Sequence, residues 1–376
     1  MITLDELLLP ITRERFDADY NDRKPLHIPA ATGASKRALL DWSGFNALLD
    51  QSSIWTPQSL KLVFNGRPIP AEHYCVEAQT QSGPVVTPSP ARVQTLLAKG
   101  ASLIAGDVHM LTPPLRTLSR DLGRAFAALV GANVYCSFGG VQAFETHFDL
   151  HHVFAVQCEG EKTWRLYENR ADSPVSFPID DVEGRRWFTE TRGALMTEVT
   201  MRPGDVLYLP RGWYHEAMTV QGASLHVTFS VTPLYGRILF RLLESAALQD
   251  PAFRAWLPSG TDDGDRLGVH LADLGRRLAD LAALPAFRDE VLMAQERLVP
   301  RSASYGLPER KALTVYRPTG LTPARVVGPA AVAIDWAISQ PQFALEDVIA
   351  QFDFVPEADL TAAFDAAIRG GVFRSL

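Results

Sequence analysis

Two short stretches carry the residues best suited to chemistry, and they lie far apart in the chain. In THFDLHH, His147 is followed two positions later by Asp149; in GDVLYLPRGWYHEA, Gly204, Pro210, Gly212 and His215 stand at the spacing G-x5-P-x-G-x2-H. An imidazole and a carboxylate at i and i+2 of an extended strand point to one face, where they can share a divalent cation. The pair alone is a weak signal, because that spacing arises often by accident. The second stretch strengthens it: Gly204-Asp205 reads as a turn, VLYLP as a strand, and PRG as a tight corner that returns His215 toward the first pair. Two imidazoles and one carboxylate form the facial triad that leaves open positions on non-haem Fe(II). Zinc on the same ligands is the alternative, and a purely structural cluster is the third reading. The neighbouring His151 and His152 read as satisfied or exposed strand histidines.

The elements that must position these groups are mostly strands. From about residue 24 to 232, short runs rich in Val, Tyr, Phe and Leu (KPLHIPA, SLKLVFNGRPI, NVYCSF, HVFAVQC, TWRLYEN, GDVLYLP, LHVTFSV) are bounded by Gly, Pro, Asn or Asp; this spacing predicts a sandwich or barrel. KRALLDWSGFNALLDQ, PARVQTLLAKGA and PLRTLSRDLGRAFAALVG carry helical periodicity and decorate it. From about 236 to 300 the pattern becomes helical, with apolar residues at three and four spacing. After the turn-rich PRSASYGLPERK, a strand (ALTVYRP), three short helices and a strand-like end follow, an order that resembles a winged helix. Its third helix carries Glu357, Asp359 and Asp365 against Arg369 alone, which argues against a DNA-gripping recognition helix.

Composition bounds the rest. With 376 residues, 47% hydrophobic and 21% charged, the chain is long enough for two or three domains with real cores. No stretch reaches the roughly 18 to 20 unbroken apolar residues of a membrane span, and MITLDELLLPITRERF lacks the basic start and cleavage site of a secretion signal. A cytoplasmic location is expected. Cys75, Cys136 and Cys158 are far apart and odd in number, which fits buried thiols in a reducing compartment better than a disulfide framework. The net charge of −7 opposes bulk attraction to nucleic acid and suits a basic partner.

The pattern from Gly204 to His215 is recognisable as the second cupin motif, and His147-x-Asp149 followed by Gly160 as the first. More specifically, the chain resembles the JmjC-type 2-oxoglutarate oxygenases, in particular the ribosomal oxygenases. The matching residues are Asn133-Val134-Tyr135, His147-Phe148-Asp149, Phe154 with Gln157, Gly160-x-Lys162-x-Trp164-Arg165-Leu166-Tyr167, Gly204-Asp205 through His215, SLHVTFS at 224–230, and RKPLHIPA near 23–30. The match is strongest across about 130–232.

The resemblance implies an α+β chain in three parts. A double-stranded β-helix (cupin or jelly-roll) JmjC domain with decorating helices would span 1–232, a helical dimerisation region 233–305, and a winged-helix-like domain 306–376. It implies Fe(II) on His147, Asp149 and His215, with O2 and 2-oxoglutarate as co-substrates. Lys162 would meet the far carboxylate of 2-oxoglutarate, with Tyr135, Ser230 and, more weakly, Thr228 as hydroxyl partners. By composition alone Lys162 reads as a solvent-facing turn lysine; a short hairpin across CEGEK would let it point inward. Asn133 and His226 match positions near the metal and substrate pocket, with a buried hydrogen-bonded role equally open to each, while Trp164 and Trp213 read as packing the barrel. The implied activity is hydroxylation of a His or Arg side chain of a ribosomal protein by a homodimer. A hydroxylase of a peptide natural product or small molecule, a demethylase, and a non-catalytic cupin-like binding protein are the rivals. The segment Ala143-Phe144-Glu145-Thr146 replaces the Gly-x-x-x-His approach usual in the family, in a loop that borders the metal.

Overall fold

The structure is a computed structural model that describes residues 2–30, 39–139, 142–177, 182–219, 222–260, 265–299, 313–323 and 328–376. The predicted turn-rich stretch 300–311 and the predicted boundary at 305/306 lie outside the described residues, as do the side chains of Ala143 and Phe144. The chain divides into two compact units, Met1–Pro233 and Leu234–Leu376.

In the first unit, an eight-stranded sheet has the order 26–28, 206–209, 152–160, 223–233, 128–138, 102–105, 60–64, 67–68, and a four-stranded sheet the order 195–201, 162–170, 213–218, 142–147. From Ala128 onward the chain passes back and forth between the two sheets, so that four strands of the large sheet and the four of the small one are wound into a double-stranded β-helix. Alternation along Ala128–Phe138 shows how sequence sets the two faces. Ala128, Val130, Ala132, Val134 and Cys136 are buried in the helix-covered core, while Asn133 and Tyr135 take the other face, toward the inside of the barrel.

The helices pack on the outer face of the large sheet. Helix Pro113–Phe126 starts at Thr112, whose hydroxyl accepts from Leu115 N, has proline in its first turn, and buries Leu115, Leu118 and Leu122. Sequence periodicity extends this helix to Gly131, but it ends at Phe126 because Ala127 adopts the left-handed region at φ 46°, and Ala128 begins a strand. Phe16 from helix Arg13–Asp19 stacks edge-on to Tyr208 at 4.9 Å and lies 6.0 Å from Phe154, an apolar contact worth about 1.5–3 kcal/mol per buried ring. On the outer face of the small sheet, Phe148, Tyr167 and Tyr214 are buried beneath Trp187 and Phe188 of helix Val182–Thr191.

The CEGEK segment corrects a sequence expectation. Strand His152–Gly160 pairs with 206–209 and 223–233, and strand Lys162–Arg170 with 195–201 and 213–218, so the two belong to different sheets and form no hairpin. Gly160, at φ +62°, makes the crossing, and a Cβ there would sit 1.8 Å from the Ala223 carbonyl oxygen. Only glycine fits so close a backbone approach.

The second unit holds helices Ile238–Ala247, Arg266–Ala283 and Pro285–Glu296. Its C-terminal part has a three-stranded sheet of order 343–344, 315–318, 373–375. Helices Ala330–Ser339, Leu345–Gln351 and Glu357–Arg369 pack on it around Ile334, Phe343, Phe364 and Phe373. Among the described residues, no helix is long and apolar enough to cross a membrane.

Candidate functional site

His147 closes strand Gln142–His147 and pairs in register with His215 of strand Trp213–Met218, leaving the two rings 4.5 Å apart. Asp149 lies two residues beyond the strand end, so the pair does not share one continuous strand as the i, i+2 reading supposed. The corner at Gly212 fixes it instead: Gly212 N–H donates to the Asp149 carbonyl at 2.9 Å. Gly212 is at φ +84°, with the Ala171 carbonyl oxygen 2.4 Å from where a Cβ would be. His215 Nε2 lies 3.5 Å from Asp149 Oδ2, and one ligand atom from each of His147, Asp149 and His215 falls within 4.8 Å of the others.

The ring orientations suit a cation. His147 Nδ1 is 2.8 Å from the Glu145 carbonyl and His215 Nδ1 2.9 Å from that of Trp213. A carbonyl can only accept, so Nδ1 carries the hydrogen in each ring and the Nε2 lone pair serves as ligand. Burial, with His147 beside it, pushes His215 down to about 4, which keeps it neutral at pH 7. Burial would raise Asp149, but His215, His147 and His151 together hold its carboxyl below the ordinary value.

Next to this triad is a cavity of about 240 Å³ whose lining includes all nine residues singled out from the sequence: Asn133, Tyr135, His147, Asp149, Lys162, His215, His226, Thr228 and Ser230. They converge because 128–138 and 223–233 pair with His226 opposite Tyr135, Thr228 opposite Asn133 and Ser230 opposite Gly131. Lys162 is 2% exposed, which removes the solvent-facing alternative. Its ammonium donates to Ser137 Oγ at 2.9 Å and Thr219 Oγ1 at 3.2 Å, and it forms no carboxylate pair among the described residues. Burial lowers it to about 8, partly offset by Cys136. Tyr135 is pushed up to about 12 by burial and by Asp149, against a hydrogen bond from Asn133, and so remains a phenol donor. His226, stacked on Tyr135 at 4.9 Å, is held well below its ordinary value by burial and by Lys162. Among the described residues, buried Trp164 Nε1 and His226 Nδ1 at this cavity have no hydrogen-bond partner; such orphaned groups are rare in closed cores.

Residues 114–237 match the family model described as "JmjC domain". The chain carries a JmjC domain. Among curated relatives, the bifunctional lysine-specific demethylase and histidyl-hydroxylase NO66 of Drosophila persimilis is 28% identical over 74% of this chain and 40% of its own length. Ribosomal oxygenase 1 of Danio rerio is 25% identical over 81% and 59%, and ribosomal oxygenase 2 of Bos taurus 34% over 46% and 40%. The chain thus spans less than two thirds of each of these relatives. Among solved structures, YcfD, a ribosomal oxygenase from Escherichia coli, is similar with a TM-score of 0.52 at 15% identity, covering 97% of this chain and 98% of that one. A further YcfD structure, in complex with cobalt and 2-oxoglutarate, has a TM-score of 0.51 at 16% identity over the same shares of the two chains. The likeness confirms the cupin fold of the JmjC domain.

Several residues of the JmjC domain escaped sequence reasoning. The hydroxyls on Lys162 belong to Ser137 and Thr219, whereas Tyr135 bonds with Asn133 and Ser230 Oγ donates to the Gly131 carbonyl at 3.4 Å. Trp164, expected only to pack, lines the cavity and stacks on His215 at 5.7 Å. Trp213 does pack, its Nε1 donating to the Tyr167 carbonyl. His151 lines the cavity 3.9 Å from Asp149, while His152 is a buried core histidine between Tyr208 OH and Arg211 N. The i+2 alternation through NVYCS, which puts Ser137 on the face of Tyr135, was the one available signal.

Proposed function

We propose that the chain is an Fe(II)- and 2-oxoglutarate-dependent protein hydroxylase acting on a His or Arg side chain of a ribosomal protein. The observation that carries this reading is the buried Lys162 ammonium, without a carboxylate partner among the described residues, opening on the same cavity as a His-Asp-His cluster. A cation held in low dielectric calls for an anion. The far carboxylate of 2-oxoglutarate is that anion, and the YcfD complex with cobalt and 2-oxoglutarate supports the same pairing of metal and co-substrate.

The donor set fits Fe(II): two neutral imidazoles and one carboxylate on one side leave the other side open. His147, Asp149 and His215 would hold Fe(II), which would supply activation of O2 coupled to oxidative decarboxylation of 2-oxoglutarate to succinate and CO2. The residues of the chain do the positioning. Lys162 neutralises and orients the dicarboxylate with Ser137 and Thr219 holding the ammonium, and the Tyr135, Thr228 and Ser230 hydroxyls border it in the same cavity. Asn133 and His226 border the substrate side, and the apolar walls of Val153, Trp164 and Ala217 exclude water from the reacting carbon.

The domain reading follows the same line: residues 1–232 catalyse, 233–305 form a dimerisation region, and 306–376 a winged-helix-like domain. Phe240 at 77% and Trp256 at 97% exposure support a covered surface in the middle part, and the strand–helix–strand–helix–helix–strand order supports the last. The net charge of −7 suits a basic ribosomal protein, and we place the enzyme in the cytoplasm beside it. The test is anaerobic titration with Fe(II) and 2-oxoglutarate for a visible charge-transfer band, followed by turnover on ribosomal proteins with mass spectrometry. Succinate and a product heavier by one oxygen atom support the reading; no band and no succinate overturn it. Formaldehyde release would instead identify N-methyl groups as the target.

A further inference from the structure

The register between the two histidine strands is interrupted beside the metal cluster. His215 pairs with His147, but Ala217 pairs with Phe144, so Glu145 and Thr146 together face the single residue Glu216. This is a β-bulge, a device that breaks the ladder and re-aims a side chain. Here it turns the Glu145 carbonyl onto His147 Nδ1 at 2.8 Å, the contact that presents Nε2 to the metal position.

A bulge leaves the ladder short of bonds, and a side-chain clamp on the outer face of the sheet takes their place. Thr146 Oγ1 donates to Glu216 Oε2 at 2.8 Å, and both side chains are buried. Arg192, just after helix Val182–Thr191, donates to Thr146 Oγ1 and to Tyr167 OH at 2.7 Å each, and its guanidinium lies 4.3 Å from the Tyr167 ring centre. Two cations flank the carboxylate, Arg192 at 3.7 Å and Arg165 at 3.5 Å. Thr146 thus precedes His147 and Glu216 follows His215 by one position, on the opposite face from the cavity, as strand alternation requires. Tying them together fixes the spacing of the strands that carry His147 and His215.

We infer that Thr146 and Glu216 are positioning residues for the metal centre, clamping the bulge so that His147 meets the cation with Nε2. The inference rests on the proposed metal site. Outer groups that orient metal-binding histidines typically matter by roughly 10–100-fold in affinity.

The experiment is titration of the full chain, freed of metal, with Co(II) alone, read by its visible ligand-field absorption, alongside the thermal midpoint of the metal-free protein. Thr146→Val, nearly isosteric, is expected to weaken Co(II) binding roughly 10–100-fold. Glu216→Gln is expected to weaken it less, because the amide oxygen still accepts from Thr146, and Thr146→Ser is expected to restore wild-type affinity. Should Thr146→Val fail to fold, Glu216→Gln against Thr146→Ser decides. Unchanged Co(II) affinity with lowered thermal midpoints, or Thr146→Ser as weak as Thr146→Val, overturns the clamp while leaving the metal site intact. A wild-type chain that does not take up Co(II) overturns the metal site and the clamp with it.

Discussion

Replacing Lys162 by methionine removes a buried charge while keeping most of the volume of its stem. Burial lowers the ammonium from 10.5 to about 8, so holding its charge in this site costs about 3 kcal/mol at neutral pH relative to the unfolded chain. Methionine also leaves the Ser137 and Thr219 hydroxyls without their shared donor, a loss of about 1 kcal/mol. The net expectation for the protein without co-substrate is a gain of about 2 kcal/mol, or a thermal midpoint higher by about 4–8 °C for a unit of this size. The sign has a pH signature. The penalty in the wild type is full below pH 8 and fades as pH rises from about 8 to 10.5, where the folded chain has already lost the proton, so the advantage of Lys162→Met should fade over the same window. Binding should move the other way: without the ammonium, 2-oxoglutarate affinity should fall by about 100-fold or more, the usual cost of truncating one partner of a buried charge pair. Thermal melts across this pH range and calorimetric titration with 2-oxoglutarate measure both. A metal-free, co-substrate-free variant that melts below the wild type, or one that binds 2-oxoglutarate normally, refutes the account.

Three further outcomes are expected. Asp149→Ala should abolish the stabilisation by Co(II), which for the wild type amounts to about 2.7 kcal/mol at a hundredfold excess over the dissociation constant and is read as a shift in thermal midpoint. The saturation constant for 2-oxoglutarate should rise steadily above pH 8, because the Lys162 ammonium is charged below that value and neutral above it; a flat profile from pH 7 to 10 would count against Lys162 as the anion partner. Gly160→Ala should cost about 3 kcal/mol or more, since its Cβ would fall 1.8 Å from the Ala223 carbonyl oxygen at a φ of +62°, and a wild-type midpoint by calorimetry would show that the crossing is not as tight as described.

The parts of the site readable from sequence are those that the backbone dictates. Gly204 and Gly212 sit at φ +93° and +84°, where other residues are strained, so the spacing from the turn to His215 is written in residue types. Tyr135, Asn133, His226 and Thr228 were singled out by the family resemblance, and strand alternation explains why Tyr135 shares a face with Asn133 and His226 with Thr228. What sequence could not reveal depends on which strands meet. Ser137, Lys162 and Thr219 come from different segments, and their contact follows from the crossing at Gly160 that sequence reasoning took for a hairpin. The end of helix Pro113–Phe126 was misplaced for a related reason: Ala127 carries no sign of its left-handed conformation, which tertiary packing imposes. Thr146 was read as part of a loop bordering the metal, whereas it lies in strand Gln142–His147, and its pairing with Glu216 was hidden because a bulge is a property of two paired strands, not of either one.

The position of strand Ala223–Pro233 has a consequence for how the molecule is made. It is the last strand of the first unit, yet in the large sheet it lies between 152–160 and 128–138. During synthesis those two earlier strands emerge first and wait, each with an unpaired edge, until residue 233 has cleared the exit tunnel. The cavity has no wall of His226, Thr228 and Ser230 before then, so the pocket beside His147, Asp149 and His215 is complete only in the finished domain. A nascent chain stalled short of this strand would expose two apolar edges side by side, the species most prone to capture by chaperones or to aggregation.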